Sequence, residues 1–257
     1  MAILMFDNLF NRKPKVVFTS LIPGMEKIMP IIPAKDYRHP WVDKASSEYS
    51  ELRKQKDWGT FKVQHTVRCP GIFSLQRTGW IMRTYQDIWI ETKSGSDDFL
   101  WQSALHQKKF YPELGDYVGS HPKSQLADYM VNWPEGTKKV LVKIHSPWKC
   151  IVPKGYYLLE MGLPYQDENR FQTVPGFFSH EHGPAQMNVQ LLWKVDSGRT
   201  LIKAGTPISQ YILIKKEEYD FVVNSDENME QQKIFDIVNN CRFVKNYNED
   251  KKFWSKQ

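Results

Sequence analysis

The sequence predicts a mainly β protein, and three features of its patterning carry that expectation. Apolar and polar residues alternate with a period of two through much of residues 61–218. Glycine and proline turns cut this region into short segments, about 8–12 residues apart, as in a sandwich, barrel or jelly roll. Helical spacing is confined to short stretches near the ends. The expected division is a Pro-rich arm with a short helix over 1–60, a β core over 61–218 and a C-terminal helix and tail over 219–257, all in one structural domain.

In the arm, Pro14, Pro23, Pro30, Pro33 and Pro40 break the chain into extended pieces, because each fixes φ and turns its predecessor away from helix. One strand is expected at Lys15–Thr19. A helix is expected from Pro40, a residue suited to a first helical position, with Trp41, Ala45, Tyr49 and Leu52 as its buried stripe.

In the core, Phe61, Val63, His65 and Val67 mark a strand, and Cys69-Pro70-Gly71 opens a turn or a single helical turn. A long strand is expected over Trp80–Thr92, a weaker one over Phe99–Leu105 and a short helix over Ser124–Val131. Further strands follow at Lys139–Ile144, Cys150–Val152, Tyr156–Met161, Phe171–Val174, Gln186–Val195, Leu201–Lys203 and Ile208–Lys215, with a turn at Pro175-Gly176. Ser225 then caps a helix whose stripe is Ile234, Ile237, Val238 and Cys241.

Composition excludes some classes. An apolar share of 41% with 25% charged residues is that of a folded chain, not a disordered one. No apolar run approaches the roughly 18 residues of a membrane span, and the opening Met1–Phe6 is too short for a signal peptide. Three widely spaced cysteines form no CxxC pair and suggest reduced thiols; Cys69 is expected as a buried structural thiol. A net charge of +6 permits a nucleic acid or nucleotide partner, but the basic residues are dispersed and do not indicate one.

The run from Ile151 to Lys216 contains Ile-Val-Pro-Lys-Gly-Tyr-Tyr, Val174-Pro-Gly-Phe-Phe178, Val189-Gln-Leu-Leu-Trp193 and Ile202-Lys-Ala-Gly-Thr-Pro-Ile-Ser-Gln-Tyr-Ile212. In order and spacing it resembles the dUTPase and dCTP deaminase superfamily, which implies a β-clip or jelly-roll-like core. The resemblance places Tyr156 and the Gly176–Glu181 turn at the ligand pocket. Where that family carries a water-activating aspartate this chain has Ser179, with Glu181 two residues on; the phosphate-gripping Arg-Ser element and the glycine-rich C-terminal arm are missing. Leu21-Ile-Pro-Gly24, Ile31-Ile-Pro-Ala-Lys35, Arg68-Cys-Pro-Gly-Ile72, Thr78-Gly-Trp80 and Ser146-Pro-Trp148 are similar to runs in uncharacterised proteins of tailed marine bacteriophages, cyanophages above all. That implies a viral protein, placed in the host cytoplasm, the virion or both.

The candidate residues follow. Ser179, Glu181 and Tyr156 are the ligand-binding candidates. His180 and His182 would share one face of a strand, and His145 on an adjoining strand would be the third ligand that a catalytic metal requires. Asp87, in an apolar strand, either pairs with Arg83 or Arg68 or points outward. Trp80, Trp89, Trp148 and Trp193 are expected in the core, whereas Phe253 and Trp254 in a charged tail suggest an interaction site. No cofactor is implied. The expected function is that of a non-catalytic viral β protein acting through assembly, as a homo-oligomer or with other viral proteins. The alternatives are a dUTPase-like nucleotide binder or hydrolase and a metal-dependent oxygenase of double-stranded β-helix type.

Overall fold

The computed structural model describes residues 13–54, 66–122, 133–179 and 183–223, together with residue 233. Within these the chain is mainly β, all of it antiparallel, with four short helices: α1 (Met25–Ile28), α2 (Pro40–Lys54), α3 (Pro70–Arg77) and α4 (Gln107–Phe110). The expected elements at 61–65 and 124–131 lie outside the described residues, as does the expected helix at 225–241 apart from residue 233, which is helical.

Three sheets surround one core. The first is built on β7 (Val140–Ile151) and β11 (Ala185–Trp193), with β9 (Phe171–Thr173) beyond β11. The free side of β7 is shared by β6 (Val118–Pro122) and β1 (Val17–Ser20). The second sheet runs β10 (Gly176–Phe178), β8 (Tyr156–Met161), β13 (Pro207–Lys215), β3 (Trp80–Arg83), β2 (Ile32–Pro33). The third runs β12 (Gly198–Ile202), β4 (Ile88–Thr92), β5 (Phe99–Ser103). Their inward faces meet in a core that includes Met82, Ile90, Ile144, Leu158, Val189, Leu191, Trp193 and Tyr211. The buried Lys138 joins the first and third sheets, its Nζ donating to the Lys93 carbonyl at 2.7 Å and to Asp196 at 2.9 Å.

Several expectations change on folding. The arm is not a mere cover, because β1 and β2 join two different sheets and Ile22 and Met25 enter the core. The α2 stripe does lie on the half-buried side, with Trp41 6.1 Å from Phe73 of α3. Thr66–Arg68 form a 3₁₀ turn, not the end of a strand.

The expected strand Trp80–Thr92 is two strands in two sheets, broken where Thr84 donates its N–H to Thr206 and its hydroxyl to Lys203. Those bonds draw the chain onto the 203–206 turn, which also donates the Ala204 N–H to Asp87 at 2.7 Å. Asp87 therefore points outward as a turn cap. Conversely, two expected strands fuse into β7, and Pro147 is tolerated because it sits where the β7–β11 register shifts. The expected Pro175-Gly176 turn runs straight into strand β10. Trp148 and Trp193 are buried, but Trp89 is 36% exposed beneath Arg199, since inward positions on β4 belong to Ile88, Ile90 and Thr92. Cys69 is exposed at the start of α3, and among the described residues the buried thiol is Cys150.

One glycine has no substitute: Gly79 has φ +79, and a Cβ there would lie 1.8 Å from the Tyr211 carbonyl oxygen. That contact brings the α3–β3 connection down on β13, where Gln210 donates to the carbonyls of Leu75 and Thr78.

Candidate interaction surface at the corner of the second sheet

The Pro153-Lys154-Gly155 turn launches β8 with its aromatic pair split between the two faces of the sheet. Tyr156 packs inward against the core, and Tyr157 points outward. Register carries the outward face onto the neighbours: Phe177 lies opposite Leu159, and Ile214 opposite Tyr157. The Tyr157 and Phe177 rings pack tilted to each other, 5.2 Å apart between centroids, and Phe177 is 62% exposed.

Lys216 closes the corner. Its backbone N–H donates to Gly155, its Nζ sits 4.3 Å over the Tyr157 ring, and the same Nζ donates to Ser179 Oγ at 2.7 Å. Beyond it, Tyr219, Phe221, Val222 and Val223 are 73–88% exposed. Among the described residues no strand pairs with the outer edge of β10. Contiguous apolar side chains beside such an edge are features that folded chains normally cover.

The inward face of the same strands holds a buried polar group. Glu160 accepts a hydrogen bond from Tyr211 at 2.6 Å. Burial pushes its carboxyl up to about 7, partly offset by the hydrogen bond from Tyr211. Burial, and then the nearby Glu160, raise the Cys150 thiol to about 11, and Tyr211 is likewise pushed far up. The sequence reading missed Glu160, although strand parity marks it: it follows Tyr156 and Leu158 on the inward face of Tyr156–Met161.

Of the ligand-binding candidates, Ser179 lies at the corner and Tyr156 faces away from it into the core; Glu181 lies outside the described residues. His145 is on β7 of the other sheet, its ring close over Gly119, and burial followed by Lys143 lowers its pKa. His180 and His182 lie outside the described residues, as do Phe253 and Trp254. Among the described residues no three His, Cys, Asp or Glu side chains converge as metal ligands. No helix among them is long and apolar enough to cross a membrane.

No family model matches the chain, and no curated protein matches it. Among solved structures, an EIAV dUTPase is similar over 59% of this chain and 86% of its own, at 9% identity and a TM-score of 0.30. A likeness of that strength decides nothing about the chain, and the description of its fold rests on the three sheets themselves.

Proposed function

We propose that this chain is a non-catalytic β protein that acts by associating with other protein, and that it belongs to the assembly of a tailed phage. One observation supports the first part above all: the outward face of β8, β10 and β13 presents Tyr157, Phe177 and Ile214 to solvent, beside an edge of β10 with which no strand among the described residues pairs. Burying such surface is worth roughly 25 cal/mol per Å², so a face of this kind gains by being covered. The phage assignment is supported by the sequence runs around Leu21–Gly24, Arg68–Ile72 and Ser146–Trp148. A jelly-roll-like arrangement of the sheets belongs to the same proposal.

A photo-crosslinking residue placed at position 177 of the full chain, in the cells that produce it, tests association. Intermolecular protein adducts are expected, and their absence would remove the reading. A thermal-shift series with nucleoside triphosphates tests the rival nucleotide reading. A ligand at about 100 times its dissociation constant adds about 2.7 kcal/mol to stability, so binding would be plain. No shift is expected, and a shift accompanied by triphosphate hydrolysis would replace this proposal with the enzymatic one.

A further inference from the structure

We infer that Glu160 is a pH-operated latch on β10. While its carboxyl is neutral the strand stays seated; when it ionises, water enters beside Gly176 and loosens the strand that carries Phe177. The inference rests on the association reading above and adds to it a means of regulation.

The first argument is register. Glu160 on β8 lies opposite Gly176 of β10 on one side and opposite Tyr211 of β13 on the other. Directly opposed residues of antiparallel strands share a face, so these three form one row on the inward side of the sheet. Glu160 is 5% exposed there, and Tyr211 donates to its carboxyl at 2.6 Å.

The second argument is what surrounds the carboxyl. Tyr211 and Ser209 face it from β13 and Cys150 from β7, and the position opposite on β10 is a glycine. None of these is a cation. The Tyr211 hydroxyl and the Cys150 thiol, both pushed up by burial, keep their protons at neutral pH. Of these groups Glu160 alone changes charge near neutrality. An ionised carboxylate among apolar side chains needs a cation or water, and here only water can serve.

The third argument is the route. A Cβ at Gly176 would meet nothing within 4 Å among the described residues, so the side of Glu160 toward β10 is loosely filled. The strand itself is short. Its three residues seat Phe178 at 6.2 Å from Tyr211, the same ring whose hydroxyl holds Glu160. The row that senses the proton is thus also the row on which β10 rests. Phe177 points the other way on the same strand and moves with it. The hydrated, loosened arrangement binds the proton less tightly than the closed one, so opening becomes easier as pH rises.

The test is amide hydrogen exchange by NMR on the full chain between pH 5.5 and 8.5, corrected for intrinsic exchange. The amides that pair β10 with β8 are expected to lose about tenfold in protection between pH 6 and pH 8, while those that pair β7 with β11 change far less. Glu160→Gln is expected to abolish the difference between the two pH values. Gly176→Ala fills part of the space where water would enter and is expected to move the loss of protection to higher pH. Crosslinking from position 177 is expected to give more protein adduct at pH 6 than at pH 8.

Any of three results would overturn the inference: protection of β10 that does not depend on pH, the same dependence in Glu160→Gln, or an unmoved transition in Gly176→Ala. Should Glu160→Gln fail to fold, the wild-type profile and Gly176→Ala still decide. Adducts in equal yield at both pH values would overturn the regulation and leave the association reading standing. If β10 loosens as expected but no adduct forms at either pH, the association reading fails and the latch remains.

Discussion

The two five-stranded sheets invert each other. The first keeps Val142, Ile144, Val189 and Leu191 on its inward face and turns Lys143, His145, Gln186, Asn188 and Gln190 outward. The second places Glu160 and Ser209 inward among its apolar residues, and turns Tyr157, Leu159, Phe177, Ile212 and Ile214 outward. Over the middle of β7 and β11 the first sheet follows the rule of a half-solvated antiparallel sheet, although Leu141 and Leu192 at the end of its outward face are buried too. The second breaks the rule on both faces. Departures of this kind cost stability and persist where something other than folding is served. The outward one marks contact, and the inward one ties stability to pH.

The largest expected effect lies in the sheet that keeps the rule. Leu191 is fully buried between β7 and β9 on the core side. Leu191→Ala removes that packing and leaves a cavity, which is expected to cost about 3 kcal/mol in urea denaturation, within the usual range of roughly 2–5. A loss below about 1 kcal/mol would mean that the first sheet does not organise the core.

Next comes the inward exception. The Glu160 carboxyl is raised from 4.5 to about 7 in the folded chain, so the native state holds its proton more tightly than the unfolded one. Below about pH 4.5 both states are protonated and the residue carries no penalty. Between about pH 4.5 and 7 the unfolded state ionises first, so stability falls as pH rises. Above about pH 7 the full penalty applies, roughly 3 kcal/mol at about 1.4 kcal/mol per unit. Glu160→Gln keeps an acceptor for Tyr211 without the charge. It is expected to flatten this slope and to make the chain more stable than wild type at pH 8. An unchanged slope would show that the dependence comes from elsewhere.

This inversion was only half legible in the sequence. Alternation located β8, β11 and β13 to within a residue or two, because side-chain burial on a strand is a local pattern. The split of Trp80–Thr92 was not legible, since it depends on Thr84 bonding to Lys203 and Thr206, more than a hundred positions away. For the same reason Trp89 was expected in the core: a single unbroken strand gives no hint of which parity its second half will present. At the site, Ser179 was named only through the family resemblance of the run that contains it, whereas the patch around it was not found. Tyr157, Phe177 and Ile214 become neighbours only through the pairing of β10, β8 and β13. Glu160 was readable from parity alone and was overlooked because its flanking residues are aromatic and aliphatic.

A smaller effect tests the outward face of the first sheet. The His145 ring lies over Gly119, where a Cβ would meet its Cε1 and Nε2 at 3.2 Å. Gly119→Ala is expected to push the ring outward into water while changing stability by no more than about 1 kcal/mol. Burial is the main cause of the lowered His145 pKa, so displacement should return it toward the ordinary imidazole value in an NMR titration. A pKa that did not move would show that Lys143, and not burial, sets it.

The smallest effect sharpens the claim that the outward face of the second sheet is a surface. Lys216→Met keeps the aliphatic stem over Tyr157 and removes the ammonium group that sits over the ring and donates to Ser179. A cation–π contact at an exposed site is worth about 0.5–1 kcal/mol, and the hydroxyl is readily solvated once released. Stability is therefore expected to fall by less than about 1 kcal/mol, far below the Leu191→Ala loss, although both residues belong to strands or strand ends of five-stranded sheets. A loss near 3 kcal/mol would mean that Tyr157, Phe177 and Lys216 act as a second core. The inversion between the two sheets would then be a matter of folding, and the outward aromatics would no longer point to a partner.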